Sequence, residues 1–114
     1  MRQRSWHRAA VGAAILVLPL LVPACGRTHV MPEGELEIQN GWSSPGTIVA
    51  IEVEEVVGPN FLAFDVHARP GDTVSIDVFP SLYDVWVLWV DGFMDVYTDI
   101  EIHEDCTTTL KVRR

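Results

Sequence analysis

Arg69-Pro70-Gly71-Asp72-Thr73-Val74-Ser75-Ile76-Asp77-Val78-Phe79 is the stretch that decides the fold class. Proline presets φ at one corner and glycine accepts positive φ at the next, so residues 69–72 read as a turn. Behind the turn, Val74, Ile76 and Val78 alternate with Ser75 and Asp77. A period of two is the mark of a strand with one buried face.

The same grammar extends in both directions. Strands are expected at 36–39, 47–56, 73–79, 83–90, 93–103 and 106–112, and 61–66 reads as either a strand or a packed irregular segment. Their boundaries fall at Asn40-Gly41, Ser44-Pro45-Gly46, Gly58-Pro59-Asn60, Asp91-Gly92 and Glu104-Asp105. In the second of these strands Val49, Ile51 and Val53 share one face and Glu52 and Glu54 the other. No stretch keeps a helical repeat for long. Six to seven strands with turns about ten residues apart imply an all-β domain, a small antiparallel β-sandwich. An immunoglobulin-like arrangement is the first choice, as architecture and without the paired cysteines of antibody domains.

Three segments carry a resemblance: Gly58-Pro59-Asn60-Phe61-Leu62, Arg69-Pro70-Gly71-Asp72-Thr73-Val74 and Pro80-Ser81-Leu82-Tyr83-Asp84. They are similar to the turn and strand motifs of a group of small β-sandwich domains of unknown function found in exported bacterial proteins. Val57, Ala68 and Ser81 stand where that pattern has tryptophan, leucine and glycine. The resemblance implies a fold and no chemistry.

The N-terminus reads differently. Met1 to Arg8 is basic, Ala9 to Val22 is apolar and Pro23-Ala24 offers a small-residue exit, the layout of a secretion signal. The apolar run is interrupted by Pro19 and is shorter than the roughly 20 residues of a membrane span, so a retained transmembrane helix is the weaker reading. Leu21-Val22-Pro23-Ala24-Cys25-Gly26 resembles the lipobox of bacterial lipoproteins. That resemblance implies a diacylglyceryl thioether on Cys25, cleavage before it, and a chain held on the membrane by acyl groups. It divides the chain into a signal at 1–24, a lipidated cysteine and tether at 25–34, and a β-sandwich at 35–114. Gly26 is not the aspartate that resembles an inner-membrane retention signal, so the outer membrane is expected in a host with two membranes. The rival account pairs the two cysteines, Cys25 with Cys106. Lipidation instead leaves Cys106 single, and because it opens an alternating strand it is then expected as a buried, reduced thiol.

Charge narrows the partners. The chain carries a net −8, and removal of Arg2, Arg4 and Arg8 leaves five basic against sixteen acidic side chains, −11. Such a field repels nucleic acid and anionic bilayers, so membrane attachment is expected through lipid alone.

Asp99, Glu101, His103, Glu104, Asp105 and Cys106 form the densest polar cluster, of residue types that bind zinc or copper. On a strand Asp99, Glu101 and His103 share one face. An alternating strand in an acidic protein must also put polar residues outward, and tight sites need three or four convergent ligands, so these three are weak metal candidates. His67 joins them only if the fold brings it near. Asp91, Asp95 and Asp99 lack the glycine and terminal glutamate of a calcium loop. No phosphate loop, nucleophile elbow or zinc-protease spacing occurs, so no catalytic residue and no cofactor is assigned.

The tryptophans are the stronger lead. In Tyr83-Asp84-Val85-Trp86-Val87-Leu88-Trp89-Val90 one face must enter the core. The other, with Trp86 and Leu88, is either covered within the chain or forms the contact surface, with Trp42 as a neighbour from a preceding loop. The sequence therefore points to a non-enzymatic envelope lipoprotein with a structural or protein-interaction sandwich. Aromatic-mediated binding of a polysaccharide or cell-wall ligand is the alternative, and a metal-binding or catalytic domain comes third.

Overall fold

A computed structural model describes residues 14–16, 20–26, 33–41 and 46–112. Nine strands are described: β1 (Ala14–Leu16), β2 (Leu20–Cys25), β3 (Gly34–Asn40), β4 (Ile48–Glu55), β5 (Phe61–Ala68), β6 (Thr73–Val78), β7 (Ser81–Trp89), β8 (Met94–Ile102) and β9 (Cys106–Val112). They form two sheets, β1-β8-β7-β4-β5 and β2-β9-β3-β6. The domain is a small all-β sandwich; the six strands expected from residue 36 onward are present, and the segment left open at 61–66 is a strand, β5.

Alternating apolar residues from both sheets meet in one core. Leu36, Ile38, Ile76, Val78, Leu110 and Val112 face Ile51, Val53, Val85, Val87, Trp89 and Ile100. Each fully buried aliphatic or aromatic side chain contributes roughly 1.5–3 kcal/mol relative to exposure, and that burial is what holds two sheets with no covalent link in the middle.

Two irregularities redirect side chains. Register shifts between Ile48 and Ala50 where β4 meets β5 and β7. The bulge turns Ile48 into the core together with Ile51, three residues on, and leaves Val49 half-buried. The expected inner set of Val49, Ile51 and Val53 is corrected accordingly: an extra residue in one strand resets the alternation. A second shift lies opposite Tyr83 and Val85, where Asp99 takes φ 59° and Tyr97 and Ile100 both point inward.

The strand order departs from that of an immunoglobulin domain. There the third strand joins the sixth and seventh; here β5, third from residue 34 onward, pairs antiparallel with β4 through the Gly58-Pro59-Asn60 turn. β3 and β9 run parallel side by side.

The Arg69–Asp72 turn joins strands of different sheets. Gly71 has φ 93° and the Asp72 N–H donates to the Arg69 carbonyl at 2.8 Å, so β5 and β6 form an arch across the sandwich. Asn40 laces its closed end: Nδ2 donates to the Ala68 and Gly46 carbonyls, both at 2.9 Å.

Two strands come from the stretch read as a signal. β1 pairs parallel with β8, and β2 pairs antiparallel with β9 over Leu20↔Lys111 to Cys25↔Cys106. The physical reason is that β8 and β9 otherwise end each sheet with unpaired backbone groups, and an apolar extended segment satisfies them. Among the described residues no helix is long and apolar enough to cross a membrane. The basic start of the chain, most of the tether, Trp42 and the Ser44-Pro45 turn lie outside the described residues.

Candidate functional site

β7 separates its two faces cleanly. Tyr83, Val85, Val87 and Trp89 enter the core, and Trp86 and Leu88 lie half-buried on the face turned away from it. The stripe continues to the tip of the β7–β8 hairpin, where Val90 is 65% and Phe93 46% exposed. Gly92 at φ 92° closes that tip, with its N–H donating to the Trp89 carbonyl at 2.9 Å and the Phe93 N–H to Asp91 Oδ1 at 3.2 Å. The hairpin thus holds two apolar side chains in solvent on a braced turn.

The outer face of the other sheet is built differently. Thr107 Oγ1 donates to Glu35 Oε1 at 2.7 Å, and Thr109 Oγ1 and Gln39 Nε2 donate to Glu37 Oε1 at 3.2 and 3.1 Å. That ladder satisfies its own polar groups across β3 and β9.

Glu52 was not legible as anything but a solvent-facing glutamate. It lies on the outer face of β4, cross-strand from Trp86 and Ala63, and is fully buried. Met94 and Val96, cross-strand from Leu88 and Trp86, are covered as well. The middle of this face is therefore closed; on one side of it Trp86 and Leu88, half-buried, lead to the hairpin tip, and on the other Ala63, Asp65 and His67 of β5 are exposed.

The acidic cluster does not converge on a cation. Glu101 Oε2 and His103 Nε2 are 3.1 Å apart, with both side chains more than half exposed. Asp99 borders the same shallow depression of about 230 Å³, but its backbone N–H is turned to Asp84 Oδ1 at 3.2 Å. His67 is on β5, separated from β8 by β4 and β7. Among the described residues no three His, Cys, Asp or Glu side chains are placed to hold a metal ion.

Cys106 is buried as expected, but it is not a thiol. The β2–β9 register sets Cys25 opposite Cys106 and the two form a disulfide, S–S 2.03 Å. The expectation of a reduced Cys106 is corrected for this state of the chain. The sulfur of Cys25, read as the lipid acceptor, is committed to the same bond, and one sulfur cannot carry a disulfide and a thioether together.

Compared with known proteins, the chain matches no family model, no curated protein and no solved structure.

Proposed function

We propose that the chain is an exported, non-enzymatic envelope protein that works by contact, and that the stripe Trp86–Leu88–Val90–Phe93 is the contact surface. What supports this is the contrast between the two outer faces. One is a ladder of satisfied hydroxyl–carboxylate bonds, the other an apolar edge rising to an exposed hairpin tip. A small domain that leaves aromatic and aliphatic side chains together in solvent forgoes their burial energy, which a partner recovers on docking.

Membrane anchoring through Cys25 belongs to the same proposal and sets an order of events. Acylation has to reach the thiol before β2 docks on β9. Cleavage between Ala24 and Cys25 then removes β1 and the rest of β2 and leaves Cys106 unpaired. Mass spectrometry of the N-terminus from native membranes checks this: an acylated Cys25 supports the anchor, and a Cys25–Cys106 disulfide in the membrane-extracted protein refutes it.

The contact surface is tested by placing a photo-crosslinking side chain at Val90 in the native host. One discrete protein adduct, lost with Trp86→Ser in a chain that still folds, is the expected result. Retention on cell-wall polysaccharide that Trp86→Ser abolishes, without a protein adduct, would assign the stripe to a polymer ligand instead.

A further inference from the structure

The outer face of the β1-β8-β7-β4-β5 sheet is dry where an outer face should be wet. Ala50, Glu52, Met94 and Val96 lie on it, in register with Leu88 and Trp86, yet they are 5%, 0%, 0% and 8% exposed. Among the described elements the only layer packed on this sheet is β2-β9-β3-β6, and it lies against the opposite face. On the far side of β4 the cross-strand neighbours of Glu52 and Ala50 are Ala63 and Asp65, both exposed and too short to roof them over.

This face is also acidic. Glu52, Glu54, Asp65 and Asp84 lie on it, and none of the sheet's five strands contains a lysine or arginine. A carboxylate taken wholly out of water is costly unless a cation or hydrogen-bond donors meet it. The lysine and arginine among the described residues, Lys111 on β9 and Arg69 in the β5–β6 turn, are exposed and lie elsewhere.

We infer that residues 1–13, the segment that precedes β1, are seated on this face in the uncleaved chain, with one of Arg2, Arg4 and Arg8 against Glu52. The segment holds those three arginines and no Asp or Glu, so its charge complements the face. It also ends in the right place. Ala14 pairs with Met94 at the edge of this same sheet, and Leu16, Val96, Trp86 and Glu52 stand in one cross-strand row. Three strand spacings separate the ends of that row, about 14 Å. Arg8 precedes Ala14 by six residues, and six extended residues reach about 20 Å. The inference rests on the reading of Trp86 and Leu88 as contact surface and deepens it: the segment closes that surface in cis, and cleavage before Cys25 opens it.

The test uses the full, uncleaved chain. A benzophenone side chain is placed in turn at Ser5 and Trp6, neighbours that face opposite ways in an extended segment, and irradiated. The expected product is an intramolecular adduct on the peptides that carry Glu52, Ala63 or Trp86. Arg2→Gln, Arg4→Gln and Arg8→Gln together should lower the melting temperature by about 5 °C or more, and by much less in a Glu52→Gln background. Adducts joining two chains would assign the cover to a second copy and overturn the inference. So would adducts confined to β3, β6 or β9, no adduct from either position, or an equal loss of melting temperature in both backgrounds. The contact-surface reading fails separately, because it is tested by an adduct from Val90 to another protein, whereas the adducts here lie within one chain.

Discussion

The indole Nε1 of Trp89 donates a 2.8 Å hydrogen bond to Oδ2 of Asp95, and both side chains are buried, at 1% and 4% exposure. The two residues flank the β7–β8 hairpin, so the bond ties the inner faces of its strands just below the exposed tip. A buried donor that loses its acceptor costs about 1–3 kcal/mol. Asp95→Ala should lose that much by denaturant unfolding, and Asp95→Asn, which keeps an acceptor oxygen, should lose less. Equal losses for the two variants would mean that shape, and not the hydrogen bond, is what Asp95 supplies.

Asn40 performs the corresponding task at the closed end of the β5–β6 arch. Its side chain serves two carbonyls, and its backbone N–H and C=O pair with the Asp72 carbonyl and the Gly71 N–H at 2.9 and 2.8 Å. Asn40→Ala strands two acceptors and should cost about 2 kcal/mol or more. Asn40→Asp should cost more than Asn40→Ala, because a carboxylate then faces the same carbonyl oxygens. Thermal melts of the two variants give the order, and the reverse order would show that the lacing at Ala68 and Gly46 is not what Asn40 contributes.

Much of this was legible in the chain. Period-two alternation with proline and glycine corners located β3 to β9 to within a few residues, and the two faces of β7 followed from parity alone. What parity could not reveal were the bulges at Ile48–Ala50 and Asp99, since one inserted residue changes every later side of a strand while leaving composition untouched. Nor could it distinguish a hairpin from an arch: Arg69–Asp72 has the residues of either, and which sheet β6 joins depends on pairing with β3, far away in sequence. Glu52 looked like any outward glutamate. The depth of its burial comes from its neighbours, and a single strand's pattern carries no record of them.

The disulfide closes a loop over a sequence separation of 81 residues. In the chain-entropy account a crosslink of that span stabilises by roughly 4–5 kcal/mol, and typical measured values are about 2–4. Cys106→Ser in the uncleaved chain should therefore lower stability by about 2–4 kcal/mol and abolish the difference between reducing and non-reducing melts. A chain acylated on Cys25 differs from the uncleaved wild type in the same way, with no response to reductant, and has one thiol that reacts once the protein is unfolded.

Asp84 gives the pH dependence its sign. Burial holds its carboxyl above the ordinary value of 3.8; the Asp99 N–H opposes that, and the charges of Asp99 and Glu54 add to it. An acid whose folded pKa is raised contributes stability that is fully present below the unfolded pKa and lost as pH rises through the folded one. Over the interval above pH 3.8 Asp84 therefore destabilises the sandwich progressively as it ionises. Asp84→Asn keeps an oxygen for the Asp99 N–H and removes the charge, so the variant should match wild type at low pH and be the more stable protein at neutrality. Unfolding free energies of the pair across that range decide it: a difference that stays flat, or that turns against the asparagine as pH rises, would mean that the Asp84 carboxyl is not held above its ordinary value in the folded chain.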